Sequence, residues 1–205
     1  MLQEQRNAII EQAARMFVNE GIKSVRMDDI AREAGISKRT LYETFGDKEE
    51  LIFLAVKHHF TYYERLNDGI VKESPNILIA TIRIMQNVVN SSESNWKLHN
   101  TLSRFYPTVS KRLTEYHKGQ KSILFRDRLK DGVQEKLLMP HANIDLAMST
   151  LHYLATSVVI NDGSFPLPDG LTPKDAFLEV TVNVMRGIST AKGIAIIDEY
   201  LEKSK

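Results

Sequence analysis

The sequence predicts an all-α protein, and three observations predict it. Apolar residues recur at three- and four-residue spacing along most of the 205 residues. No alternating apolar–polar run is long enough for a strand. Ten glycines and six prolines punctuate the periodic stretches, where they stop or start helices. The length suits one or two domains with a sizeable core, and 42% apolar with 26% charged residues is ordinary for a globular chain.

A first helix is expected over 3–20, where Ile9, Ile10, Ala13, Ala14 and Phe17 share a face and Gly21 suits a left-handed stop. A short second helix is expected over 27–34. Asp28 and Asp29 favour its positive N-terminal end, Ile30, Ala31 and Ala34 form its inner edge, and Gly35 stops it. Ser37 is a good N-cap for a third helix over 38–45, which Gly46 ends. Asp47 opens a fourth, with Glu50 three residues on as in a capping box, and it runs to about 71.

Beyond "KESPN", helix 76–90 carries Ile79, Ile82, Met85, Val88 and Val89. A short helix is expected over 96–106. Pro107 then opens a long one to about 138, which Gly119 and Gly132 are placed to interrupt. Pro140 and Asn143 mark a break and a cap before helix 144–160. The stretch 161–173, "NDGSFPLPDGLTP", is a loop, and closing helices are expected over 173–189 and 191–202.

Composition excludes several classes. There is no cysteine, which removes disulfides and thiolate metal sites and is compatible with a reducing cytoplasm. No run of ~18 apolar residues exists, so no membrane span is expected. The start, "MLQEQRNAIIEQAARMF", carries Glu4 and Glu11 and lacks the basic, apolar, small-residue order of a signal peptide. There is no H-E-x-x-H, no G-x-S-x-G and no Gly-rich phosphate loop. His58 and His59 are adjacent, diverge by about 100° on a helix and form no ligand pair. Neither catalysis, nor a cofactor, nor a metal site is expected. The net charge of +1 says little about partners, and the first 50 residues hold eight Lys/Arg against ten Asp/Glu. A nucleic-acid reading must therefore rest on where charges sit, not on their sum.

That placement is informative on the third helix. Leu41 and Phe45 lie four apart and can pack on Ile30, Ala31, Ala34 and Ile36. The remaining face presents Lys38, Arg39, Thr40, Tyr42, Glu43 and Thr44. Two helices joined by a Gly-containing turn form a helix-turn-helix, whose second helix enters the major groove. Lys38 or Arg39 then suits guanine O6/N7, Thr40 a thymine methyl, and Tyr42 and Thr44 phosphate. Lys48 lies in the first turn of helix four, where free backbone N–H groups also attract phosphate. The alternative is a solvated face on a small helical hairpin.

The stretch "GISKRTLYETFGDKEEL", preceded by "DDIAREA", resembles the signature of TetR/AcrR-family transcriptional regulators. The matching positions are Ile30, Ala31, Gly35, Ile36, Ser37, Leu41, Tyr42, Phe45, Lys48, Glu49 and Leu51. "FVNEGIKSVRM" resembles the family's end of helix one and lead-in to helix two. The strong match covers about residues 5–55. Two positions depart from it. Arg26 stands where the family often caps helix two with Thr or Ser, so either Arg26 contacts phosphate or Ser24 takes the capping part. Thr44 replaces a frequent His or Tyr.

The resemblance implies a three-helix DNA-binding domain at 1–48 and a helical ligand-binding and dimerisation domain at 49–205. DNA contact is then expected from Arg26, Ser37, Lys38, Arg39, Thr40, Tyr42, Thr44 and Lys48. A homodimer is expected through Ala147, Leu151, Leu154 and Val158 of one helix and Phe177, Val180 and Val184 of the next; intramolecular core is the alternative. Residues expected to line an effector pocket are Met85, Trp96, His99, Phe105, Phe125, Met148, His152 and Tyr153, with plain core again the alternative. The implied protein is a cytoplasmic, ligand-responsive regulator, a repressor, on a palindromic double-stranded DNA operator. The rival is a small-molecule binding protein that keeps the helix-turn-helix only as structure.

Overall fold

The structure, a computed structural model, describes residues 2–90, 92–119, 123–160 and 167–203; within these, only the backbone is described for 92–94, 96, 117–119, 123–126, 152 and 155–160. Among the described residues the chain is helical throughout and no strand forms. The helices are α1 (Gln3–Glu20), α2 (Met27–Glu33), α3 (Lys38–Phe45), α4 (Lys48–Glu73), α5 (Ile77–Asn90) and α6 (Ser92–Phe105). They continue as α7 (Pro107–Gly119), α8 (Ile123–Gln134), α9 (Ile144–Ile160), α10 (Pro173–Ile188) and α11 (Ala191–Lys203). No helix among the described residues is long and apolar enough to cross a membrane.

Two compact units emerge. One comprises Met1–Arg65 with Ser94–Lys121, the other Leu66–Glu93 with Ser122–Lys205. The boundary between the two units falls within α4, at Arg65 and Leu66. Leu98, Leu102, Val109 and Leu113 of α6 and α7 share one core with Phe17, Ile30, Leu41, Phe45 and Ile52. Polar contacts fasten the same helices. Arg112 reaches Glu50 at 2.8 Å and lies 3.9 Å over the Phe53 ring, and the Lys57 ammonium lies 4.4 Å over Tyr116. His59 hydrogen-bonds Asn95 at 2.7 Å, and burial holds its pKa below the usual histidine value.

The second unit is built on α5, which buries Ile77, Leu78, Ile79, Ala80, Ile82 and Ile84, too many faces for a surface helix. Around it lie Leu129, Leu137, Leu138, Ala147, Leu151, Met185, Ile188 and Ile197. A small satellite cluster joins Val89 to Phe177.

Two expectations change, the start of α6 and the end of α8. Helix α6 begins at Ser92, not 96. Of the long helix expected over 107–138, the described residues form α7 up to Gly119 and α8 from Ile123. Helix α8 stops at Gln134, because Lys136 takes a positive φ of 58° and the N–H groups of Leu137 and Leu138 both turn back to the Gly132 carbonyl. Met139 then donates to Ile188 at 2.9 Å, tying that turn to the end of α10.

Candidate nucleic-acid interface

Helix α2, a turn and α3 form the candidate interface. Arg26 N-caps α2, and its backbone N–H donates to the Asp29 carboxylate at 3.0 Å. That bond holds the Asp29 pKa below the usual carboxylate value, with Arg32 adding to it at 2.7 Å. Ser24 does not cap the helix; its N–H bonds Gly21 instead. The α2 chain ends in a turn where Gly35 takes φ of 64°, a conformation side-chain-bearing residues rarely adopt. Ser37 then caps α3, accepting from the Thr40 N–H at 3.0 Å. Leu41 and Phe45 are buried against Ile30 and Ala31, with Ala34 and Ile36 packed at the edge. The Arg6 guanidinium lies 5.3 Å over the Phe45 ring, so α1 also braces the end of α3.

What remains outside is a charged face. Lys38 is 58% exposed and Arg39 87% exposed. Neither cation stands alone. Lys38 pairs with Asp28 at 2.8 Å, and that hydrogen bond raises its pKa above the ordinary lysine value. Arg39 pairs with Glu43 at 2.7 Å. Tyr42 is exposed. Thr40 is half-buried, its hydroxyl 2.7 Å from that of Ser37, and Thr44 donates to the Thr40 carbonyl at 2.7 Å. The hydroxyl proton of Thr44 is thus already used within the helix.

Lys48 has a second role that sequence reasoning missed. Its ammonium donates to the carbonyls of Ile22 and Val25, at 2.7 Å and 2.6 Å. Burial pulls its pKa below the ordinary lysine value. Two of its three N–H donors therefore hold the α1–α2 loop, leaving one for a phosphate. Asp47 caps α4, accepting from Glu50 at 2.8 Å, but Glu50 turns its own carboxylate to Arg112 instead of closing a capping box. Lys48→Met is expected to cost about 2 kcal/mol of unfolding free energy, because two carbonyls lose a charged donor that solvent already screens in part. Urea denaturation would measure it, and an unchanged midpoint would show the ammonium contributes nothing to holding the loop.

The residues expected at the other sites are scattered. Ala147, Leu151 and Phe177 are spent on the second unit's own core, at 9%, 0% and 0% exposure. Val184 and Leu154 are half-buried against the same clusters. Val180, at 37%, faces outward, as do Leu146 at 62% and Tyr153 at 70%. Of the pocket residues, Met85 and Met148 pack into the second unit's core. His99 and Phe105 are exposed in the first unit, where the Lys23 ammonium lies 4.0 Å over the Phe105 ring. The side chains of Trp96, Phe125, His152 and Val158 lie outside the described residues. An open surface groove runs along Ser103, Pro107, Lys111 and Glu115, away from the residues expected to line a pocket in the second unit.

Comparison with known proteins bears on this interface. Residues 9–55 match the profile of a family described as bacterial regulatory proteins, tetR family. The HTH-type transcriptional regulator HbdR of Aromatoleum sp. (strain CIB) is 35% identical over 65 residues, which is 32% of this chain and 28% of that one. The chain thus covers less than a third of that relative's length. A TetR-family regulator from Cytophaga hutchinsonii superposes with a TM-score of 0.73 at 15% identity, over 93% of this chain and 98% of that one. The reduced form of E. coli NemR gives 0.70 at 14% identity, over 92% and 98%. At such identities the structural likeness speaks for the fold alone.

Proposed function

We propose that the protein is a cytoplasmic, DNA-binding transcriptional regulator of the tetR family, a reading supported by the match of residues 9–55 to that family's profile. It acts as a repressor, binds a palindromic operator as a homodimer, and releases it when a small molecule binds. The observation that carries the reading is α3: a helix of eight residues, capped by Ser37, buried through Leu41 and Phe45, and leaving Lys38 and Arg39 exposed. Such a helix is too short to stand alone, and its neighbours hold it in the geometry of a groove-reading element.

A two-fold dimer presents two such helices to successive major grooves. The exposed apolar residues Leu146 and Tyr153 of α9 and Val180 of α10 are the surface that supports dimerisation. Effector binding is assigned to the second unit, where Met85 and Met148 are side chains that repack easily. The ligand acts by favouring a state whose reading helices no longer match the groove spacing.

Selection of the ligand-free protein on random duplex DNA at two salt concentrations tests the proposal. The expected result is an enriched inverted repeat whose affinity falls with salt, by a log–log slope of about −0.9 per phosphate neutralised. No enrichment at low salt would overturn it.

A further inference from the structure

The geometry points to Glu43 as a specificity-determining residue: its carboxylate is placed to accept a hydrogen bond from an exocyclic amino group in the major groove, cytosine N4 or adenine N6. This rests on the DNA-reading function proposed above and deepens it.

Position on the helix is the first ground. Leu41 and Phe45 define the buried stripe of α3, at 0% and 3% exposure. At 3.6 residues per turn, Glu43 lies about 180° from the centre of that stripe, with Arg39 about 40° to one side. Lys38 and Tyr42 flank the stripe more closely. The outermost point of the reading helix is therefore an acid, 60% exposed.

Charge is the second. A carboxylate at that point is repelled by phosphates wherever the chain meets DNA without a matching donor. It raises the cost of wrong sites more than that of right ones, which is how a repulsive element creates specificity. In the major groove only cytosine N4 and adenine N6 offer amino donors, and Glu or Asp accepting from cytosine N4 is a recognised pairing. The third ground is the partner. Arg39 Nε donates to the Glu43 carboxylate at 2.7 Å, which leaves the terminal guanidinium N–H groups as donors for a guanine edge. One turn of helix thus carries an acceptor and a fork of donors as a preassembled pair.

The experiment is the same random-DNA selection run on the parent, Glu43→Ala, Glu43→Gln and Glu115→Gln. The last removes an equal charge from α7, away from α3. The parent should prefer, at one position of each half-site, cytosine or adenine over guanine or thymine on one and the same strand, the strand whose amino group faces Glu43. Glu43→Ala should relax that position by about five- to a hundredfold, the range for one base contact, and should bind random DNA more tightly. Glu43→Gln, which keeps an acceptor but adds a donor, should broaden the same position. Glu115→Gln should leave every base preference intact. Circular dichroism checks that the Glu43 variants keep the parent's helix content. A parent that enriches a site, with Glu43→Ala keeping the same preference at every position, overturns this inference alone. A parent that enriches nothing removes the DNA-reading function with it.

Discussion

Replacing Lys38 and Arg39 together by alanine is expected to lower affinity for the selected site about a hundredfold or more per half-site, while the protein stays folded. Each residue can supply one strong contact to a guanine edge or a phosphate, and good bidentate base contacts discriminate by tenfold or more. The folded state should be indifferent. Both ion pairs are solvent-exposed, Lys38 with Asp28 and Arg39 with Glu43, and exposed pairs contribute little. Urea denaturation of the variant should therefore track the parent. The salt dependence separates the roles: removing a lysine or arginine from a phosphate reduces the slope by about 0.9, whereas removing one from a base edge leaves it nearly unchanged. A double variant that binds as well as the parent would move the reading head elsewhere.

The second expected result concerns assembly. Leu151→Asp should unfold the second unit, not merely dissociate a dimer. Leu151 has 0% exposure and lies among Ile82, Leu138 and Met185. An unpaired carboxylate there costs upwards of about 3 kcal/mol, a large share of a domain's stability. Leu146→Asp with Val180→Asp should behave differently. Both positions are exposed, so the variant should fold, sediment as a monomer and lose most operator affinity because its two reading helices are no longer coupled. A double variant sedimenting as a dimer would place the interface on another surface. A folded, monomeric Leu151→Asp would contradict the burial of that residue.

The same helices show how far the sequence could be read. Helices α1, α3 and α9 were legible to the residue, because their boundaries rest on local chemistry: Gly21 and Gly46 at the stops, Ser37 and Asn143 at the caps. The spacing of Leu41 and Phe45 marked the buried side of α3 for the same reason. Glu43 stood on the remaining face without being expected to touch DNA, because its charge has the wrong sign for phosphate.

By itself, the sequence determined the helical class, the order of the elements and the helix-turn-helix, and it carries the stretch over 9–55 that matches the tetR-family profile. Each depends on residues within about a turn or two of one another, where spacing and capping decide the outcome. Tertiary structure alone decided which periodic faces are core. Leu151 and Val180 look equivalent as apolar positions on α9 and α10, yet one is sealed and the other exposed. It also decided that α6 and α7 share the core of α1–α4, and that Lys48 clasps the Ile22 and Val25 carbonyls. These contacts join residues more than twenty positions apart. Hydrophobic burial is non-directional, so an amphipathic helix declares that it will bury a face without declaring against what.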